Sequence, residues 1–393
     1  MKLHLKLSAF LLLTAFAALL VSFHANDQKI NNSLPVRSPA AKPKIQAAIL
    51  LDVSNSMDGL IEQAKAQLWN MVSVMGKAKC GNDVIPEIEI ALYEYGRSSN
   101  DVSSGYVKQI SAFTQDLDKL SGDLFNLRTN GGDEYCGQVI YTSLNELKWA
   151  PGSSNYKVIF IAGNEDFLQG NLHYTKACAL AKKNGVIVNT IYCGDRLSGI
   201  KEHWNLNAEC GTGSFTNIDQ NQKIDDIPTP YDNQMFSLNE KLNSTYIAYG
   251  NAGKEKMHLQ AEMDSKNYAL SKSAAADRVS VKGQSNIYKN DSWDLVDATV
   301  AAGSDDMINT IDLRSLPESL QNKSRADLKK LVREKTQQRS ALQKEIASVN
   351  KKRQDFLITE KKKNANAKGQ AGLETAMEKI IKEQAVRSNM RID

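Results

Sequence analysis

An aspartate and two serines stand at alternate positions in Asp52-Val53-Ser54-Asn55-Ser56, directly after the apolar run Ile45–Leu51. One carboxylate and two hydroxyls on a single turn form a set of hard oxygen donors. Such a set suits Mg²⁺ or Mn²⁺ rather than zinc. Ser and Asp are also ordinary turn and helix-capping residues, so the triplet needs supporting ligands from elsewhere. Two later stretches offer them. Arg128-Thr129-Asn130-Gly131-Gly132-Asp133-Glu134 carries Thr129 and Asp133, with glycines that let backbone approach a ligand closely. Gly163-Asn164-Glu165-Asp166 carries three more polar side chains. An octahedral oxygen site requires convergence of separate loops, because no single turn wraps a small ion. Asp133 also reads as the N-cap of the next helix. His173 and His203 stand without carboxylate or cysteine partners at ligand spacing and read as surface or packing residues, as do Tyr93 and Tyr95 along a strand.

The elements that must position these loops alternate between strands and helices. Ile45–Leu51 is apolar almost throughout, as in a strand buried on both faces. Leu60, Ile61, Ala64, Leu68, Met71, Val72 and Met75 then recur at helical spacing. Strands follow at 87–95, 106–113, 157–162, 186–193 and 214–218, with helices at 134–149 and 171–183. This order predicts an α/β fold, a doubly wound and mostly parallel sheet with one antiparallel edge strand. In such sheets ligands collect at the loops leaving the carboxyl ends of the strands, where all three oxygen-bearing loops fall.

Strand, Asp-x-Ser-x-Ser, amphipathic helix, a distant threonine loop and an acidic loop after a later strand together resemble a von Willebrand factor type A domain. The resemblance covers about residues 45–220. Ala91–Gly96, Asn130–Cys136, Ile161–Glu165, Val188–Gly194 and Leu242–Gly250 resemble a bacterial exported subgroup of that family, most of it uncharacterised. The resemblance implies a metal-ion-dependent adhesion site holding Mg²⁺ or Mn²⁺. Ser54 and Ser56 would bind the ion directly, Asp52 through water or at the inner edge, and Thr129 from the second loop. One departure matters. The family usually ends its fourth strand with Thr-Asp-Gly, whereas this chain has Ala162-Gly163-Asn164, which puts Gly163 where the aspartate belongs. Either Glu165 or Asn164 replaces it, or the ion is held only when a partner's carboxylate completes the shell.

Composition sets the remaining bounds. With 41% hydrophobic and 24% charged residues, the 393-residue chain can bury a sizeable core. Its net charge of +4 is uneven: residues 323–363 hold 14 Lys or Arg against 5 Asp or Glu. Residues 1–25 read as a signal peptide or N-terminal anchor, with Lys2 and Lys6 before an uncharged apolar run from Leu7 to Phe23. Residues 26–43 read as a linker, 44–220 as the type A-like domain and 221–320 as a mixed helical and irregular region. Residues 321–365 read as a basic coiled-coil helix and 366–393 as a C-terminal helix. Leu328, Val332, Lys335, Arg339, Leu342, Ile346, Val349, Arg353 and Phe356 follow the coiled-coil alternation, with charge interrupting the seam. The expected location is the periplasm or cell envelope, where five cysteines meet an oxidising milieu. Cys178 reads as core packing, and Cys193 and Cys210 flank a loop as candidates for pairing.

No Ser/His/Asp arrangement, phosphate-cradling Gly-Lys loop or zinc spacing occurs, and the basic helix lacks the interleaved aromatics of a nucleic-acid binder. The sequence therefore points to a non-enzymatic module that binds a protein partner presenting an acidic residue. The basic helix offers a contact to the envelope or membrane surface, or a seam for oligomerisation. Two other readings compete: a coiled-coil assembly factor with a degenerate metal site, and a metal-assisted hydrolase using Glu165 or Asp166 as base.

Overall fold

A strand with apolar side chains on both faces can only sit at the centre of a covered sheet, and Lys44–Asp52 (β1) does. In the computed structural model, which describes residues 42–219, 226–365 and 373–392, β1 pairs in parallel with Glu87–Tyr95 (β3) on one side and Tyr156–Gly163 (β5) on the other. Asp58–Met75 (α1) and the short strand Ala78–Lys79 (β2) connect β1 to β3. Lys108–Thr114 (β4) adds to β3 as the antiparallel edge. Leu117–Asn126 (α2) and Cys136–Glu146 (α3) lead to β5, followed by Tyr174–Asn184 (α4), Ile187–Cys193 (β6), Arg196–Lys201 (α5), Trp204–Cys210 (α6) and Thr212–Ile218 (β7). The sheet order is β4-β3-β1-β5-β6-β7. The chain builds outward in one direction from β1 to β3 and in the other from β5 to β6, so the topological switch point lies between β1 and β5. The expected α/β fold class is the one observed; the helix α2 is an element the sequence reading passed over. The signal segment 1–25 and the linker as far as residue 41 lie outside the described residues. Among the described residues no helix is long and apolar enough to cross a membrane.

Both sheet faces are covered. Val139, Ile140, Ala177 and Trp204 of α3, α4 and α6 close one core. On the opposite face Leu60, Leu68 and Val72 of α1 share a core with Met377, Ile380 and Ile381 of Leu373–Ala385 (α14), the last helix of the chain. Gln384 of α14 reaches under the sheet edge, exchanging hydrogen bonds with Asn189 (3.0 and 2.6 Å) and accepting one from Tyr156 Oη (3.1 Å). The chain then pairs Arg391–Ile392 (β8) antiparallel with β2. The final residues thus complete the α/β fold, and the helices between β7 and α14 form a loop-out from it.

Those helices are Asp232–Asn243 (α7), Gly253–Leu270 (α8), Lys272–Lys282 (α9), Leu295–Ala302 (α10), Asp306–Thr310 (α11), Glu318–Gln321 (α12) and Arg325–Ala365 (α13). Helices α8 and α9 are separate because the Ser271 side chain between them caps α9, accepting from the Ala274 N–H at 3.1 Å. The seam of α13 faces this chain's own helices: Leu328, Val332, Ile346 and Val349 are buried, as are Arg339 and Arg353. Arg353 bonds Asp232 at 3.0 Å and Asp277 at 2.8 Å. The seam that read as an interrupted coiled coil is therefore filled within the chain.

The helical layer is fixed to α1 and α2 by a buried charge cluster. Arg278 bonds Asp118 on α2 and Asp264 on α8, each at 2.6 Å, and stacks over the Trp69 ring on α1. Lys282 bonds Asp264 and Asn243. Burial alone would raise the Asp264 pKa, but Lys282 and Arg278 outweigh it and hold the carboxyl well below its ordinary 3.8. Because the folded-state pKa is the lower one, this stabilisation is complete above the unfolded-state pKa and is lost as pH falls below about 4. Melting temperature is expected to fall steeply only below about pH 4, on towards pH 2, and Asp264→Asn should flatten that limb while lowering stability at pH 7. An acid limb unchanged in the variant would count against this assignment.

The cysteines correct two expectations. Cys193 is a free, buried thiol, so it does not pair with Cys210, and Cys178, read as plain core packing, is disulfide-bonded. Cys80 and Cys136 are also free.

Candidate metal centre at the switch point

The Asp52 turn lies at the carboxyl end of β1 and the Gly163–Asp166 loop at the carboxyl end of β5, on the two sides of the switch point. The Ser54 N–H donates to Asp52 Oδ1 at 2.7 Å, and the Val53 N–H to the Tyr95 carbonyl at 2.9 Å, which fixes the turn against β3. The loop between α2 and α3 is drawn in by the Asn130 N–H, which donates to the Val53 carbonyl at 2.9 Å.

Burial without satisfaction distinguishes this place. Asp52 is fully buried and Ser54 is 5% exposed, yet Asp52 Oδ2 and the Ser54 hydroxyl have no hydrogen-bond partner. Asn164 Oδ1 is a third buried oxygen in the same condition, while its amide nitrogen donates to Ser56 Oγ at 3.3 Å. Buried polar atoms are normally paired, because leaving one unpaired costs about 1–3 kcal/mol. Three such oxygens at the carboxyl ends of adjacent strands suit a hard cation. Among the described residues no group of three His, Cys, Asp or Glu side chains could by itself hold a metal ion, so a site here must rely on hydroxyl and amide oxygens as well.

The other expected ligands sort differently. Ser56 sits at the exposed rim and already meets Asn164. Thr129 lies beside the start of α1, where its hydroxyl donates to Asp58 Oδ1 at 2.6 Å. Glu165 is exposed; its backbone carbonyl accepts from Trp204 Nε1 at 2.8 Å, and its carboxylate is near enough to repel Asp52. Asp133 neither caps α3 nor turns inward: it is exposed and accepts from the Tyr135 hydroxyl at 3.1 Å. His203 is not alone, since its Nδ1 lies 3.0 Å from Asp166 Oδ1.

The residue that sequence reasoning missed is Glu134. It is 7% exposed, beside the exposed Asp133. Burial, with Asp52 and Glu165 adding repulsion, pushes its pKa up to about 8. Burial likewise raises Asp52 to about 6, with the hydrogen bond from the Ser54 N–H opposing. Two glycines give these carboxylates their space. Gly96 has φ +81°, and a Cβ there would stand 2.8 Å from Glu134 Cγ and 2.9 Å from Asp52 Oδ1. At Gly163 a Cβ would stand 2.5 Å from the Tyr95 hydroxyl and 3.0 Å from Asp52 Oδ2. That hydroxyl is held by donating to the Ala162 carbonyl at 2.9 Å.

No protein-family model matches this chain, and no curated protein does. Several solved structures are similar to part of it. Proximal thread matrix protein 1 from the mussel byssus matches at 15% identity and TM-score 0.32, over 46% of this chain and 43% of that one. The SpRpn10 VWA domain matches at 17% identity and TM-score 0.33, over 44% and 88%. An aerotolerance-related membrane protein from Bacteroides fragilis matches at 15% and 0.31, over 44% and 92%. The chain thus spans less than half of the mussel protein. With its antiparallel edge strand, its helices on both faces and its Asp-x-Ser-x-Ser turn at the switch point, the sheet of residues 44–218 has a von Willebrand factor type A-like fold.

Proposed function

We propose that this chain is a non-enzymatic binding module that recognises an acidic side chain of a protein partner through a divalent cation, Mg²⁺ or Mn²⁺. The observation that carries the reading is the set of buried, unpaired oxygens on Asp52, Ser54 and Asn164 at the strand switch point. Asp52, Ser54 and Asn164 would hold the ion from the inner side, with Ser56 and Glu165 at the exposed rim. When bound, the ion supplies a positive centre that a partner's carboxylate can meet in a partly dry site. The residues present arrange the rest. The Ser54 N–H orients Asp52, Asn164 orients Ser56, and Met57, fully buried, seats the start of α1 beneath the turn.

The test is partner binding with and without chelator. EDTA is expected to weaken binding at least about tenfold, with Mn²⁺ or Mg²⁺ restoring it. Ser54→Ala, which removes one unpaired hydroxyl, should mimic EDTA while leaving the circular dichroism spectrum and melting temperature of the metal-free protein intact. Binding that survives both treatments would remove the cation from the interface.

A further inference from the structure

We infer that Glu134 is a direct ligand of this cation site, and that its carboxylate, added to that of Asp52, lets the chain hold the ion without any group from a partner. The inference rests on the cation reading given above and specifies which residue completes the shell. Four observations support it. First, Glu134 comes from a different loop than either strand-end turn, so it supplies the third direction of approach that a small ion needs. Second, its side chain is almost wholly enclosed, and no cation pairs with it among the described residues. Third, it lies close to Asp52: a Cβ on Gly96 would stand 2.8 Å from Glu134 Cγ and 2.9 Å from Asp52 Oδ1. Fourth, Asp52 Oδ2 and Ser54 Oγ, on the same turn as Asp52 Oδ1, are buried and have no hydrogen-bond partner.

Two buried carboxylates brought together without a compensating charge oppose folding. Held by Asp52 and Glu134, a divalent cation would supply the positive charge that offsets this opposition. The position where the related motif carries its aspartate cannot serve, since Gly163 is backed by the Tyr95 hydroxyl and by Asp52 itself. The acid has moved from the loop after β5 to the loop before α3. The glycines that flank it there allow the move: a Cβ on Gly132 would stand 2.6 Å from the Ser98 nitrogen and 2.7 Å from the Gly96 carbonyl, so the backbone passes close to β3 and turns Glu134 inward.

The experiment titrates MnCl₂ into the full-length protein without partner, by calorimetry and by thermal shift, and compares the chain with Glu134→Gln and Glu165→Gln. Glutamine keeps the shape of Glu134 and removes its charge. The expected result is a crossover: metal-free Glu134→Gln melts higher than the unsubstituted protein, its Mn²⁺ affinity falls at least about tenfold, and its thermal shift with Mn²⁺ is lost. Glu165→Gln should change the affinity by less than about threefold, since that side chain stands at the exposed rim. If Glu134→Gln binds Mn²⁺ as the unsubstituted protein does, Glu134 is not a ligand, although the cation reading stands. If Glu165→Gln rather than Glu134→Gln loses the ion, the completing acid is the rim glutamate. No binding by the unsubstituted protein up to about 10 mM Mn²⁺ would overturn both this inference and the cation site itself.

Discussion

Arg339→Ala is expected to lower the free energy of unfolding by about 3–5 kcal/mol, the largest loss for any single side chain of α13. Arg339 is 4% exposed in the middle of that helix. Its Nη1 lies 2.5 Å from Asp294 Oδ2 and 2.5 Å from Asp297 Oδ1. Its Nε and Nη2 donate to the hydroxyl and carbonyl of Thr245 at 3.0 and 2.8 Å, and the guanidinium stacks over Tyr246 at 4.1 Å. Removing it strands Asp294, which is fully buried and also receives the Ile247 N–H. The cost follows from that stranded charge rather than from the net worth of the pair, because a well-paired buried ion pair contributes little by itself. Arg339→Lys should recover only a minor part, since an ammonium on a flexible stem cannot reach both aspartates and Thr245 from one planar fork. Arg314→Ala, which breaks a solvent-exposed pair with Asp312, serves as the contrast and should leave the urea midpoint unchanged. Equilibrium urea unfolding followed by circular dichroism makes the comparison. A loss below about 1 kcal/mol for Arg339→Ala would mean that α13 is not seated on α7 and α10 as described.

The same arginine shows why one half of the molecule was legible in the sequence and the other was not. A central parallel strand must be apolar on both faces, so β1, β5 and β6 announce themselves as continuous apolar runs, and β3 matches its expected bounds at 87–95. The strand order then places the Asp52 turn at the switch point with no further information. Arg339 and Arg353 carry no such local signal. In a seam of Leu, Val and Ile they look like defects, and only the fold shows that their partners lie far away in sequence, at Asp294, Asp297, Asp232 and Asp277. The helix α2 was missed for a related reason: three leucines, Leu117, Leu120 and Leu124, carry its buried face in a polar ten-residue segment. Within the site, adjacent Asp133 and Glu134 are equally acidic on paper. Which of them turns inward is decided by Gly96 on β3's exit, whose missing Cβ leaves the room that Glu134 occupies. Thr129 was expected as a ligand from the second loop, and its hydroxyl donates to Asp58, the first residue of α1.

Gly163 supplies a test in which the motif and the packing predict opposite signs. If the loop after β5 were a damaged copy of the related Thr-Asp-Gly motif, Gly163→Asp would repair it, raising cation affinity at little cost in stability. The geometry predicts the reverse. A Cβ at 163 would meet the Tyr95 hydroxyl at 2.5 Å, and Tyr95 is fully buried, its hydroxyl bonded to the Ala162 carbonyl. Neither the ring nor the strand beneath it can retreat, because β5 is buried along its whole length between β1 and β6. Gly163→Ala alone should therefore destabilise by about 1–3 kcal/mol, the usual cost of forcing extra atoms into a packed core. Gly163→Asp should cost more, since its carboxylate would be buried against Asp52. Adding Tyr95→Phe removes the hydroxyl that the new Cβ meets, so Tyr95→Phe/Gly163→Ala should recover part of the loss, whereas Tyr95→Phe/Gly163→Asp should keep the electrostatic penalty. Urea unfolding of the four variants without metal separates the two contributions. Wild-type stability in Gly163→Asp, with tighter Mn²⁺ binding, would show that the pocket opens to admit the aspartate.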